Sequence, residues 1–359
     1  MKRILTVIGA RPQFIKAAPV SKAIEDADGL SETIVHTGQH FDRNMSQVFF
    51  DQMKIPRPAY SLDIHSLPHG AMTGRMTEKI EHVLQAEQPD WVMVYGDTNS
   101  TLAGALAASK MHIPVAHVEA GLRSYNNRMP EEINRILTDR ISSLLFCPTT
   151  RARENLLKEG FENFPSQILN TGDVMYDAAL HFRNQATPPE GLTLPSDYIL
   201  ATVHREENTN DSRRLSAIIH AFNALAEKVP VVLPLHPRLQ KLIQHADLPA
   251  LSGYILTTDP VGYLEMIYLL RHCRMVLTDS GGLQKEACFF QKPCITLREE
   301  TEWTELVDAG YNKLAGNSLE RILSAYNHFE AHPPAFTQSL YGKGNASTII
   351  AEAFTKQST

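Results

Sequence analysis

Cysteine is scarce, and the little there is does not pair. The four thiols, Cys147, Cys273, Cys288 and Cys294, form no C-x-x-C and sit in apolar surroundings, so free buried thiols in a reducing compartment are expected rather than disulfides or a zinc site. Long apolar runs are missing as well: none approaches the roughly 20 residues needed to span a bilayer. The basic opening MKRILTVIGAR resembles a secretory leader only at its start, because Arg11 and Pro12 cut its apolar run to about seven residues. There is no basic excess. A net charge of −6 over 359 residues argues against a nucleic-acid binder, so any basic site must be local. No G-x-G-x-x-G follows the first apolar run, which argues against a dinucleotide such as NAD. No D-x-D of the kind that holds a divalent ion against a diphosphate is present, and the pairs His112/His117 and His65/His69 lack a third ligand. These absences predict a cytoplasmic protein that works without metal, redox cofactor, nucleic acid or membrane.

What is there is a soluble globular composition, 43% hydrophobic and 21% charged, with length for two α/β domains. Short apolar runs alternate with helical patterns throughout, and polar residues of interest cluster in the loop after each run. That pattern predicts doubly wound parallel sheets. The expected domains are 1–183, carrying the acidic residues, and 184–344, opening with the proline-rich linker Asn184–Pro195; a terminal helix in 345–359 could bridge back to the first. Two similar sheets with basic or phosphate-binding loops at the same end are most simply arranged as Rossmann-like domains facing a cleft, where small-molecule sites concentrate.

The most telling stretch is Met275–Phe290, MVLTDSGGLQKEACFF, a strand turning into a helix at Asp279-Ser280-Gly281-Gly282. Gly281 and Gly282 let a pyrophosphate approach the backbone at the helix N-terminus, Ser280 adds a donor, and Glu286 can accept both bonds of a ribose diol. An ordinary turn with Ser280 as cap is the alternative. Arg11 and Lys16 follow the first strand, at the end where open parallel sheets place ligands. Asp97, Glu119 and Glu131 form an acidic trio, with Glu132, Arg123, Arg128 and Arg135 available to tune them. Against this stand a capping role for Asp97 and a first-turn role for Glu131 and Glu132. His204 and His236, at strand ends of the second half, could bond a phosphate or a linked hydroxyl.

VIGARPQFIKAAPV (Val7–Val20), YGDTNST (Tyr95–Thr101), HVEAGLRS (His117–Ser124), PEEINRILTD (Pro130–Asp139), HREEN (His204–Asn208) and LTDSGGLQKEA (Leu277–Ala287) occur in order along nearly the whole chain. Together they resemble the non-hydrolysing UDP-N-acetylglucosamine 2-epimerase family. The resemblance implies a two-domain glycosyltransferase-B-type fold, a homodimer, and interconversion of UDP-GlcNAc and UDP-ManNAc by anti elimination of UDP to 2-acetamidoglucal followed by re-addition. It implies Asp97, Glu119, Glu131 and His204 as catalytic residues, and Arg11, Lys16, Arg135, His236, Ser280, Gly281, Gly282 and Glu286 as substrate-binding ones. Gln39, His40 and His236 lie where some members bind a second UDP-GlcNAc as activator.

Three positions depart from the best-known members: Trp303 stands where they carry arginine in Glu-Arg-Pro-Glu, and Val261 and Met266 stand for Gln and Phe. These resemble the branch acting on UDP-2,3-diacetamido-2,3-dideoxy-glucuronate. The reading favours UDP-GlcNAc narrowly over that substrate, with supply of a surface polysaccharide or O-antigen. A glycosyltransferase on the same fold would explain the second half but not the acidic trio; a hydrolysing epimerase and a nucleotide-sugar sensor are the remaining alternatives.

Overall fold

Most strands of the computed structural model are short, uninterrupted apolar runs, as expected of parallel sheets covered on both faces. Trp91–Tyr95, Val115–Val118, Leu144–Cys147, Ile199–Thr202 and Met275–Thr278 are buried at every position. The structure describes residues 1–39, 55–245 and 248–357; His40 lies outside them. The chain divides into two units, Met1–Ala178 with Ser339–Thr359, and Ala179–Gln338.

The first unit contains β1 (Lys2–Ile8), β2 (Leu30–His36), β3 (Tyr60–Ser61), β4 (Trp91–Tyr95), β5 (Val115–Val118), β6 (Leu144–Cys147) and β7 (Gln167–Asn170). They form one seven-stranded sheet in the order β3-β2-β1-β4-β5-β6-β7, parallel throughout. The second unit contains β8 (Ile199–Thr202), β9 (Val231–Pro234), β10 (Ile255–Thr258), β11 (Met275–Thr278), β12 (Cys294–Thr296) and β13 (Asn312–Leu314). These form a six-stranded parallel sheet in the order β10-β9-β8-β11-β12-β13. Counted from the start of each unit, both sheets follow the doubly wound order in which the winding reverses beside the first strand. Ligands of such sheets bind at that reversal, outside the carboxyl ends of the strands. Here the reversals fall between β1 and β4 and between β8 and β11.

Each sheet is covered by helices whose apolar face it buries. In the first unit Leu5, Val7, Val92 and Val94 pack against Met76, Ile80 and Leu84 of the helix His69–Glu87 and Ala103 and Ala107 of the helix Asn99–Lys110. A Cβ on Gly104 would stand 3.1 Å from the side chains of Val7 and Val94, so a small residue keeps that helix close to the sheet. In the second unit Ile199, Ala201, Leu277 and Ile295 meet Phe222, Leu225 and Ile322. Each large side chain so buried contributes about 1.5–3 kcal/mol.

The helix His69–Glu87 carries two glycines in its first two turns. Gly70 and Gly74 weaken its local preference, and burial of Met72 and Met76 overrides them. Residues 184–198 carry no helix or strand, and Leu192 and Leu194 pack against the core of the second unit. The helix Ala346–Lys356 packs on the first unit, where Phe354 stands edge-on to Trp91 and Phe146 at 5.6 and 6.1 Å. Lys2 Nζ donates to the Phe354 carbonyl at 2.7 Å. Cys147, Cys273 and Cys294 are buried free thiols, and burial pushes Cys288, less enclosed, up to about 12. Among the described residues no helix is long and apolar enough to cross a membrane.

Candidate active site

At the reversal of the first sheet, β1 ends in Gly9-Ala10 and enters the helix Arg11–Glu25, with Pro12 in its first turn. That turn holds Arg11 and no acid. A cation beside the positive end of a helix makes the place attractive to an anion. Burial lowers the pKa of Arg11 from its ordinary value. One turn on, Lys16 is buried and its ammonium donates to Glu119.

β4 ends at Gly96-Asp97, and the following helix is capped by Thr98, whose hydroxyl accepts from the Thr101 amide. Asp97 is therefore free of the capping role that its position suggested. Its carboxylate accepts from Arg135 Nη2, while its backbone carbonyl accepts from Asn134 Nδ2 at 2.9 Å. Burial raises the pKa of Asp97; Arg135 and Lys16 pull it down, Glu119 adds to the rise, and the balance is upward. The 31% of this side chain still open to solvent tempers the shift. Glu119 sits just past β5 with φ +74°, a conformation costly for a side chain of its size. Lys16, Asp97, Glu119 and Arg135 thus form one cluster of two carboxylates and two cations. Buried ion pairs of this sort add little net stability, so the cluster is read as functional.

Glu131 is set differently from the other two acids. Glu131 is exposed in the first turn of the helix Pro130–Arg140, and no hydrogen bond or ion pair ties its side chain to Asp97 or Glu119 among the described residues. The neighbouring Glu132 is the buried acid. It accepts from the Ser124 and Tyr125 amides at 2.9 and 2.8 Å and from Arg135 at 2.9 Å, which makes it a support for Arg135. Of the arginines expected to tune the acids, Arg135 does so; Arg123 pairs instead with Asp139 and Glu159, both at 2.7 Å.

Gln13 carries a role that sequence reasoning missed. Fully buried, it accepts from the Gly9 and Ala10 amides at 2.8 and 2.9 Å and donates to the Tyr95 carbonyl at 2.8 Å, tying the loop after β1 to the loop after β4. The available signal was an amide side chain three residues into a helix that buries mostly apolar groups. Gly9 lets Thr37 and Ser100 pack directly on the backbone of this loop: a Cβ there would stand 1.9 Å from Thr37 Oγ1.

At the reversal of the second sheet, β11 runs into the helix Gly281–Phe289 with Ser280 as N-cap, its hydroxyl accepting from the Leu283 amide. Gly281 is buried, and a Cβ on it would stand 2.1 Å from Glu302 Oε1. Gly282 is exposed with nothing within 4 Å of its missing side chain, so this corner of the helix N-terminus is open to a ligand. Glu286 lies one turn further along and is buried. Burial would raise the pKa of Glu302, but the Arg298 ion pair at 2.9 Å and the charge of Arg205 hold it below its usual range.

Asp279, which the sequence offered only as part of a turn, is fully buried and organises the loop after β8. It accepts from the His204 and Arg205 amides at 3.1 and 3.0 Å and from Asn208 Nδ2 at 3.1 Å. His204 and His236 face each other with ring centroids 5.8 Å apart. Burial, then the charges of His204 and Arg238, lowers the pKa of His236. Trp303 is buried, with Lys285 Nζ 4.1 Å from its ring centre.

The chain matches the family model described as UDP-N-acetylglucosamine 2-epimerase over residues 22–355. It is 57% identical to a UDP-2,3-diacetamido-2,3-dideoxy-D-glucuronate 2-epimerase of Pseudomonas aeruginosa, across 99% of each chain. Among solved structures it resembles the UDP-GlcNAc 2-epimerase of Methanocaldococcus jannaschii in complex with UDP-GlcNAc and UDP, at 40% identity and TM-score 0.85 over 99% of each chain. It also resembles the Neisseria meningitidis UDP-GlcNAc 2-epimerase bound to UDP-GlcNAc, at 33% identity and TM-score 0.87, covering 99% of this chain and 100% of that one.

Proposed function

This chain belongs to the UDP-N-acetylglucosamine 2-epimerase family, and from that premise we propose that it inverts the configuration at C2 of a UDP-linked 2-acetamido sugar without hydrolysing it. The observation that carries the reading is the pairing of Asp97 with Arg135 and of Glu119 with Lys16 at the reversal of the first sheet. The C2 hydrogen of such a sugar has no adjacent carbonyl to make it acidic, so its removal must be coupled to departure of the anomeric group. The proton passes to a carboxylate, its electron pair becomes the C1–C2 double bond, and the C1–O bond breaks as UDP leaves. A carboxylate whose pKa is pushed up beside one held by a cation is suited to give a proton on one face and take one on the other. Glu131 and His204 complete the catalytic set on this reading.

The leaving diphosphate needs positive groups that do not have to reorganise. On the first unit Arg11 and Lys16 are such groups, and on the second the Ser280–Gly282 helix start is one; on this reading His236 donates a hydrogen bond to the nucleotide, Arg135 holds Asp97, and Glu286 takes the ribose. UDP-GlcNAc is the substrate favoured by the sequence; the 57% relative favours the diacetamido-uronate nucleotide. On this reading the enzyme acts as a cytoplasmic homodimer and feeds manno-configured residues to a surface polysaccharide or O-antigen. Incubation with either nucleotide sugar in D₂O, followed by NMR, tests it: deuterium at C2 with the UDP-sugar intact is expected, and free sugar or no exchange with both substrates overturns it.

A further inference from the structure

Behind the loops that carry Asp97 and Glu119 lies a file of buried charged groups. His117 sits on β5 and is completely enclosed. Its strand neighbours across the ladder are Val94 and Leu145, and the other β5 residues are Val115, Ala116 and Val118. An apolar side chain would suit the sheet. Instead the ring spans two oxygens: Nε2 lies 2.7 Å from the Gly96 carbonyl, and Nδ1 lies 2.7 Å from Asp139 Oδ1. A carbonyl can only accept, so Nε2 carries the hydrogen of that bond. Asp139, also completely enclosed, accepts on its other oxygen from Arg123 at 2.7 Å and from the Gly121 amide at 3.2 Å. Arg123 is anchored in turn by Glu159 at 2.7 and 2.8 Å.

The two ends of this file reach the two acids. Gly96, φ +63°, is the residue before Asp97, and a bond to its carbonyl sets the direction in which the next peptide leaves β4. Gly121, φ +81°, follows Glu119 by two residues, and Glu119 is itself held at φ +74°. Two turns with positive φ do not hold their shape unaided; the surrounding structure must fix them. We propose that the His117–Asp139 pair is a positioning device for proton transfer: through Gly96 it places Asp97, through Gly121 it places Glu119, and one buried carboxylate thereby sets the spacing of both acids. Burying these charges is poorly repaid in stability, since apolar residues of similar volume commonly serve a core as well or better. What the ionic version supplies is directional hold on two main-chain groups.

The inference rests on the epimerase reading, and its test separates the two. His117→Leu removes the donor to Gly96, His117→Gln keeps an N–H that can reach toward it, and Asp139→Asn keeps the volume while removing the charge. Each variant is compared with wild type for kcat, KM, the rate of deuterium entry at C2 and UDP affinity by calorimetry, with circular dichroism as the check on folding. Expected for His117→Leu and Asp139→Asn is a fall of about 100-fold in kcat and in C2 exchange, the effect of misplacing reacting groups by about an ångström. KM and UDP affinity should change less than about threefold, and His117→Gln should recover about tenfold of the lost exchange. Exchange by folded His117→Leu and Asp139→Asn at the wild-type rate overturns the inference alone. So does a loss that appears equally in UDP affinity, or one that His117→Gln fails to reduce. Should His117→Leu not fold, the same comparison between Asp139→Asn and His117→Gln decides. A wild type that exchanges with neither nucleotide sugar overturns the epimerase reading, and this inference falls with it.

Discussion

Where β1 meets β4 the chain gathers Lys16, Asp97, Glu119 and Arg135 in mutual ion pairs, whereas where β8 meets β11 it gathers a capped helix start, two glycines and an aspartate bonded inward. The strand order is the same at the two places. One strand order thus carries two different side-chain arrangements, and the loops decide which. Charged groups that restrain one another suit proton transfer; open main-chain N–H groups beside glycine suit an anion. The general lesson is that the reversal of a doubly wound sheet tells where a site lies and nothing about what it does.

The sharpest way to break the comparison is at Asp97. Asp97→Asn should lower kcat about 10³-fold while UDP affinity measured by calorimetry stays within about threefold. Equal damage to both would mean that Asp97 itself helps to hold the nucleotide. Glu286→Ala makes the mirror case, with UDP affinity down by about 2 kcal/mol and turnover at saturating substrate largely kept. A kcat loss larger than the affinity loss would erase the division. Gln13→Leu should cost about 1–3 kcal/mol in urea unfolding, because it leaves the Gly9 and Ala10 amides without their partner. Ser280→Ala removes a helix cap and should cost about 1 kcal/mol, with UDP weakening alongside. An unchanged UDP affinity there would leave Ser280 a cap and nothing more.

The smallest effect concerns pH. Burial and neighbouring positive charge lower the pKa of His236 from its ordinary value, so the ring is neutral at pH 7 and charges only below the usual histidine range. A bound diphosphate favours the charged ring. UDP affinity should therefore rise as pH falls below about 6.5, and His236→Gln should flatten the rise. An unaltered slope in that variant would remove His236 from the nucleotide site.

Much of this was legible in the residues. The apolar runs of β1, β4, β8 and β11 are unmistakable, and the rule that ligands sit past the strand ends pointed to Arg11, Asp97, His204 and Ser280. β3, with two residues, and β13, with three, are too short to leave a pattern. The supporting residues were not legible for a different reason. Gln13, Asn134, His117, Asp139 and Asp279 act on main-chain groups far away in sequence, and spacing along a chain does not say which carbonyl a side chain will find. Glu131 and Glu132 show the limit most clearly: adjacent and identical, one is exposed and the other enclosed, because the helix turns by about 100° between them.

The helix Ala346–Lys356 belongs to the unit that begins with β1, while residues 179–338 lie between its two parts. On the ribosome, the middle of the chain therefore emerges whole and can fold before the first sheet receives Phe354 against Trp91 and Phe146. Throughout that interval an apolar flank of the nascent first sheet stays uncovered and exposed to chaperones and self-association, so a stall late in translation should leave a product with one finished half and one sticky one.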